Sequence, residues 1–147
     1  MKKNNYKLPC NIAQTLNIIG DRWTLLIIHE IMSGRNTFKE LENSLAGIAS
    51  NLLAVRLKSL KEDGIIKIQK YADHPVRYKY IITDKGRDLE DVFNTIILWG
   101  RKHLDVCYKK LISKDSGKEV EIGYYVKDER KLLNKSEIKI ENIDINF

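Results

Sequence analysis

Few residues in this 147-residue chain are placed to do covalent chemistry. His29, His74 and His103 are scattered, without a His-Glu-x-x-His pair, and Cys10 and Cys107 are far from zinc-ligand spacing. There is no glycine-rich phosphate loop. No metal, cofactor or catalytic residue is therefore expected. His29 reads as a packed or surface histidine. The chemically pointed side chains are instead hydrogen-bonding and cationic. Ser50, Asn51, Arg56 and Lys58 form one run and His74, Arg77 and Lys79 another. An Asn carboxamide can hold adenine through two hydrogen bonds, and Lys and Arg neutralise phosphates. Such groups recognise a polyanion and leave it unchanged.

The elements that must position them lie between residues 37 and 82. Thr37 and Glu40 have capping-box spacing, so a helix is expected to start there, with Phe38, Leu41 and Leu45 on its apolar face. Gly47 supplies the permissive backbone for a turn. A second helix is expected from about Ser50 to Asp63, ended by Gly64. Leu53, Leu57 and Leu60 form its buried stripe, and Asn51, Val55, Lys58 and Glu62 lie opposite. The pair fits a helix-turn-helix, a pattern that small helical bundles share. The following segment decides between them. Ile66, Ile68, Tyr78 and Tyr80 alternate on either side of Ala-Asp-His-Pro-Val-Arg, the pattern of a hairpin. A helix-turn-helix followed by a basic hairpin is a winged helix.

Two helices are expected ahead of this unit as its floor, because its own helices are too short to bury enough apolar area. The first follows Pro9 and places Ile12, Leu16 and Ile19 at helical spacing. The second, after Gly20 and Asp21, should bury Trp23, Leu26, Ile27 and Ile31. Beyond the wing, Thr83 caps a helix expected to run over 86–104. Its apolar residues cover more than one stripe, and the surplus, Phe93, Ile96, Ile97 and Trp99, is best used by a second copy of the chain. From Asp105 three short strands are expected, with turns at Lys-Asp-Ser-Gly-Lys and Lys-Asp-Glu-Arg-Lys; the end after Lys135 reads as strand or frayed tail. The fold class is thus α+β and mainly helical: a winged helix-turn-helix domain over 1–104, including the dimerisation helix, and a β-rich extension over 105–147.

No apolar run approaches the roughly 18 residues of a membrane span, and the N-terminus lacks a signal-peptide core, so a cytoplasmic protein without a membrane partner is expected. The net charge of +6 is unevenly placed. Residues 1–104 carry 17 Lys and Arg against 11 Asp and Glu, whereas residues 105–147 carry 9 against 9. Within 50–80 the count is 7 against 3, which concentrates positive charge on the second helix and the wing.

In order along the chain, Cys10, Gly20 to Trp23, Leu25, Leu26, Gly34, Phe38, Glu40, Leu41, Gly47, Ile48, Arg56, Leu57, Leu60, Asp63, Gly64, Pro75, Tyr80, Thr83, Lys85, Gly86, Trp99 and Gly100 resemble the HxlR-type winged-helix transcriptional regulators. The resemblance covers roughly residues 10–104. It implies a homodimeric bacterial DNA-binding regulator, often controlling oxidoreductase or stress genes, with some members sensing oxidants or electrophiles through the N-terminal cysteine. Two residues depart from the pattern. Ala49 stands where Ser is usual, which would move the helix cap to Ser50, and Lys79 stands where an acidic residue is common.

The expected function is a sequence-specific regulator bound as a homodimer to a two-fold symmetric site on double-stranded DNA. Ser50, Asn51, Ala54, Val55, Arg56, Lys58, His74, Arg77 and Lys79 are the expected DNA contacts, and Phe93, Ile96, Ile97 and Trp99 the dimer seam. Cys10, at a helix start with Lys7 nearby, is expected to be the more reactive cysteine, with Cys107 as a partner for it and an oxidant or small molecule as effector. The alternative is a ligand- or protein-binding module whose C-terminal strands carry the function.

Overall fold

The computed structural model describes residues 5–143. Its elements are α1 (Asn11–Ile19), α2 (Thr24–Met32), α3 (Phe38–Ser44), α4 (Ser50–Glu62), β1 (Ile66–Asp73), β2 (Val76–Ile82), α5 (Asp84–Arg87), α6 (Glu90–His103), β3 (Tyr124–Tyr125) and β4 (Leu132–Leu133), then a 3-10 turn at Lys135–Glu137. The chain divides into two compact units, one ending at Phe93 and the other beginning at Asn94. The division falls within α6, ahead of the expected position after residue 104.

In the first unit, Ile19, Ile27, Ile28, Ile31, Leu41, Leu45, Ile48, Leu53, Leu57, Leu60, Ile65 and Ile66 form one buried cluster. Burial of each such side chain is worth roughly 1.5–3 kcal/mol, so the three α4 leucines alone fix that helix firmly against the floor. In α2 the buried stripe is Thr24, Ile27, Ile28 and Ile31. Leu26, expected inside, is 47% exposed, because it falls about 100° from Ile27 around the helix. In α1 only Ala13 and Ile19 are buried. Ile12 and Leu16 share the predicted spacing but face outward, 67% and 43% exposed.

Local chemistry sets the joints. Thr37 and Glu40 form the capping box at the start of α3. Gly47, at φ +92°, makes the turn into α4, and Gly64, at φ +72°, releases the chain from α4 into β1. At both, a side chain would be strained. The helix expected over 86–104 is two helices. Thr83 caps α5 by accepting from Gly86 N–H, while its hydroxyl also bonds the Gly64 and Ile65 carbonyls. Gly86 is packed so closely that a Cβ there would stand 2.4 Å from the Ile65 carbonyl oxygen. This anchorage fixes α5 against the link between α4 and β1, and the chain turns at Asp88 and Leu89 before α6 begins.

The second unit holds the rest of α6 and the extension. Of the three strands expected there, the structure contains β3 and β4, two residues each and antiparallel, with Ile112 and Glu119 joined by a single bridge. Both expected turns are present: Gly117 takes φ +67°, and Asp128 and Arg130 take φ 72° and 51°. The strands are short because no residue described between 94 and 143 is fully buried, which leaves no sheet face to extend. Of the end after Lys135, residues 144–147 lie outside the described residues. No helix among the described residues is long and apolar enough to cross a membrane.

Candidate nucleic-acid interface

The exposed side of α4 follows from its buried side. With Leu53, Leu57 and Leu60 held in the core, the helical period turns Asn51, Ala54, Val55 and Lys58 outward, and all four are exposed; Ser50 falls on the side of the leucines and is exposed as the first residue of the helix. Val55 is 55% exposed and belongs neither to the core cluster nor to the residues packed against it. Lys58 Nζ lies 4.0 Å from Glu62, a loose surface pair worth at most about 1 kcal/mol. The Asn51 side-chain oxygen accepts from the Leu52 N–H at 2.8 Å.

The start of α4 differs from expectation. The N-cap is Ala49, which has no side chain to offer the first amides, and Ser50 is the first helical residue. The Ser50 hydroxyl is used elsewhere: it donates to the Glu42 carboxylate and so ties α3 to α4. That bond, followed by the one from Lys39, holds the Glu42 carboxyl below the usual carboxylate range.

Arg56, expected among the DNA contacts, is paired within the fold. Its Nε lies 3.2 Å from Asp21 Oδ1, with both side chains 20% exposed. The contact falls outside hydrogen-bond direction, so charge holds the pair. Asp21 is itself committed to the start of α2, accepting from the N–H groups of Trp23 and Thr24 and from the Thr24 hydroxyl. Arg56 therefore braces α4 against the floor. Asp21 carries no signal in a spacing argument, because its partner is 35 residues away and only packing brings them together.

The wing is an antiparallel hairpin in which Ile66 pairs with Ile82, Ile68 with Tyr80 and Gln69 with Lys79. The alternation sends Ile66, Tyr80 and Ile82 towards the core and leaves Lys67, Gln69, Arg77 and Lys79 on the other face. Lys67 and Gln69 were missing from the expected set, although period-two alternation opposite Lys79 would have found them. A bulge between Lys70 and Ala72 bends the distal wing, and His74 sits exposed at its tip. Three bonds anchor the wing: Tyr80 N–H to the Asn36 carbonyl at 2.7 Å, Thr83 N–H to the Ile65 carbonyl at 3.0 Å, and Lys85 Nζ to the Asp63 carbonyl at 2.7 Å. The last also caps the end of α4, so helix and wing share one joint.

The remaining expected residues separate. Phe93 packs against the core and meets the His29 ring at 5.6 Å, so its side chain is spent within its own unit. Ile97 is half-buried, whereas Ile96 and Trp99 are 48% and 61% exposed. Cys10 is the exposed N-cap of α1, and Cys107 is exposed with its thiol donating to the Arg101 carbonyl at 3.4 Å. Cys10 and Cys107 belong to different units. Among the described residues no cluster of His, Cys, Asp and Glu is arranged to hold a metal ion.

A helix pair with an exposed polar face on its second helix, joined directly to a cationic two-stranded wing, defines the winged helix-turn-helix class of transcription factors. The chain belongs to the HxlR-like helix-turn-helix family, whose model matches residues 18–108. It is 32% identical over 105 residues to YvaP of Bacillus subtilis, an uncharacterized HTH-type transcriptional regulator, covering 71% of this chain and 97% of YvaP. It is 37% identical over 88 residues to the HTH-type transcriptional regulator YodB of the same organism, covering 60% and 79%. YodB has been solved in a reduced form, which matches with a TM-score of 0.57 at 32% identity over 67% of this chain and 97% of that one, and after diamide treatment. The crystal structure of PA1607, solved as a candidate transcription factor, matches with a TM-score of 0.78 at 30% identity, covering 93% of this chain and 97% of that one. The chain thus shares its family with transcriptional regulators.

Proposed function

We propose that this regulator binds a two-fold symmetric operator as a homodimer, with Asn51, Ala54, Val55 and Lys58 of α4 in the major groove. Ser50, at the start of the same helix, belongs to this set by position, while its hydroxyl is held by Glu42. Arg77, Lys79 and His74 of the wing meet phosphate or the minor groove. The observation that carries this is the α4 face itself, where an apolar stripe is fully buried and the opposite residues are left open. Arg56 is left out, since its charge is already neutralised by Asp21. The concentration of positive charge over residues 50–80 favours this reading over a binding module centred on the neutral extension.

The dimer seam is α6, with Ile96 and Trp99 at its centre and Ile97 beside them, and α1 adds contacts through Ile12 and Leu16. Both helices carry apolar residues that a single chain leaves in water, and a two-fold partner covers them. A redox response runs through Cys10, which is exposed at a helix start; that the relative YodB has been solved both reduced and after diamide treatment supports a redox response without naming a residue. Fluorescence anisotropy on DNA upstream of its own gene tests the interface. Asn51→Ala should lose about 1–3 kcal/mol of discrimination between operator and random DNA. Lys58→Ala should weaken both alike and lower the salt slope by about one. Unchanged affinity and slope in both variants would move the interface away from α4.

A further inference from the structure

The extension after α6 is ordered without a core. No residue described between 94 and 143 is fully buried, yet large apolar side chains crowd this stretch: Tyr108 is 89% exposed, Tyr125 63%, Leu132 60% and Ile140 93%. Fixing a residue's backbone costs about 1–2 kcal/mol, and three backbone-bonded turns on so little buried surface do not recover it. PA1607 matches over 93% of this chain, and the unmatched 7% is too short to remove the extension, so this ordered form recurs in a crystal. Something must cover it.

We infer that the cover is a second copy of this chain, and that the extension is part of the homodimer interface. This rests on the α6 seam proposed above and enlarges it. Three observations select the occupant. First, the extension is continuous with the second half of α6, where Ile96 and Trp99 are exposed in the same compact unit. Second, a stable interface covers about 800 Å² per partner. A buried Trp supplies only about 150–250 Å² of that, so Trp99 with Ile96, Ile97, Ile12 and Leu16 leaves room for further contact area. Third, the extension carries 9 basic and 9 acidic residues, so it neither competes for DNA nor is repelled by the basic body of an identical chain. The chain also leaves Tyr6, Leu8, Ile12 and Leu16 exposed in its N-terminal segment, apolar residues that a second copy could cover as well.

The test uses full-length protein. Tyr108 and Ile140 are almost fully exposed in a single chain, so a charge at either leaves the monomer intact. Dimer dissociation constants are measured by sedimentation over a dilution series for the wild type, Tyr108→Asp, Ile140→Asp and Ile96→Asp, with amide hydrogen exchange at concentrations above and below dissociation. The expected result is at least a tenfold weaker dimer in Tyr108→Asp and Ile140→Asp with unchanged circular dichroism, and protection of residues 105–143 only in the dimer. If those two variants dimerise within twofold of wild type while Ile96→Asp falls apart, the extension inference fails and the α6 seam stands. Free exchange of the extension within the dimer would assign its cover to some other molecule and also overturn the inference. A wild type that is monomeric throughout removes both.

Discussion

Arg56→Met separates a bracing role from a DNA-contacting one, because Met keeps an unbranched stem of similar reach and removes the guanidinium with its charge and donors. Its partner Asp21 lies 3.2 Å from Nε, and each side chain is 20% exposed. Removing one member of a fully buried ion pair costs about 3–5 kcal/mol, whereas a surface pair is worth about 0–1. At 20% exposure an intermediate cost of about 2 kcal/mol is expected. For a unit of this size that corresponds to roughly 8–16 °C in Tm. Asp21→Ala should cost more, since Asp21 also accepts from two backbone N–H groups and a hydroxyl at the start of α2. Urea denaturation gives both stabilities, and a double-mutant cycle should show that the two losses do not add. Salt titration of DNA binding by Arg56→Met, at a temperature where it remains folded, should give the wild-type slope. Stability within about 0.5 kcal/mol of wild type, together with a slope lowered by about one, would mean that Arg56 touches phosphate and that the brace is unimportant.

Ala49→Ser should stabilise the protein by about 1 kcal/mol, since Ala49 offers the first amides of α4 no side-chain acceptor and the Leu52 N–H turns instead to the Asn51 side-chain oxygen; a Tm that does not rise would show that this Asn51 bond already serves as the cap. Glu40 is held below the usual carboxylate range chiefly by the Thr37 backbone bond, then by the Thr37 hydroxyl and the Asn36 N–H. Its folded-state pKa is depressed, so its contribution is full above the unfolded-state value and is lost as pH falls through the folded-state value. Glu40→Gln should therefore be less stable than wild type at neutral pH, with the gap closing on acidification; a gap constant with pH would discard the capping-box account. Cys10→Ser should bind operator as the wild type does when reduced and become indifferent to diamide, whereas a variant that loses binding on diamide treatment as fully as wild type would place the sensor elsewhere.

Much of the reading unit was legible because its signals are local. The capping box at Thr37 and Glu40, the turn glycines 47 and 64, the leucines of α4 and the alternation of the wing each act within a few residues, so the sequence determined the helix-turn-helix, the wing and the exposed face of α4. Family membership was legible for the same reason, since the matching motif residues sit at those joints. What escaped depended on packing between distant residues. Arg56 looked like one more cation on the recognition helix until folding placed Asp21 beside it. Ser50 looked like a replacement cap until Glu42 took its hydroxyl. The single helix expected over 86–104 became two because Gly86 is pressed against the Ile65 carbonyl, a contact between residues 21 apart in sequence. Periodicity at Ile12, Leu16 and Leu26 identified apolar residues without saying which side of each helix the core would occupy. Helical spacing constrains neighbours on one turn, but the choice of which face is buried is made by whatever else the chain brings to it, and that is decided only when the whole unit is assembled.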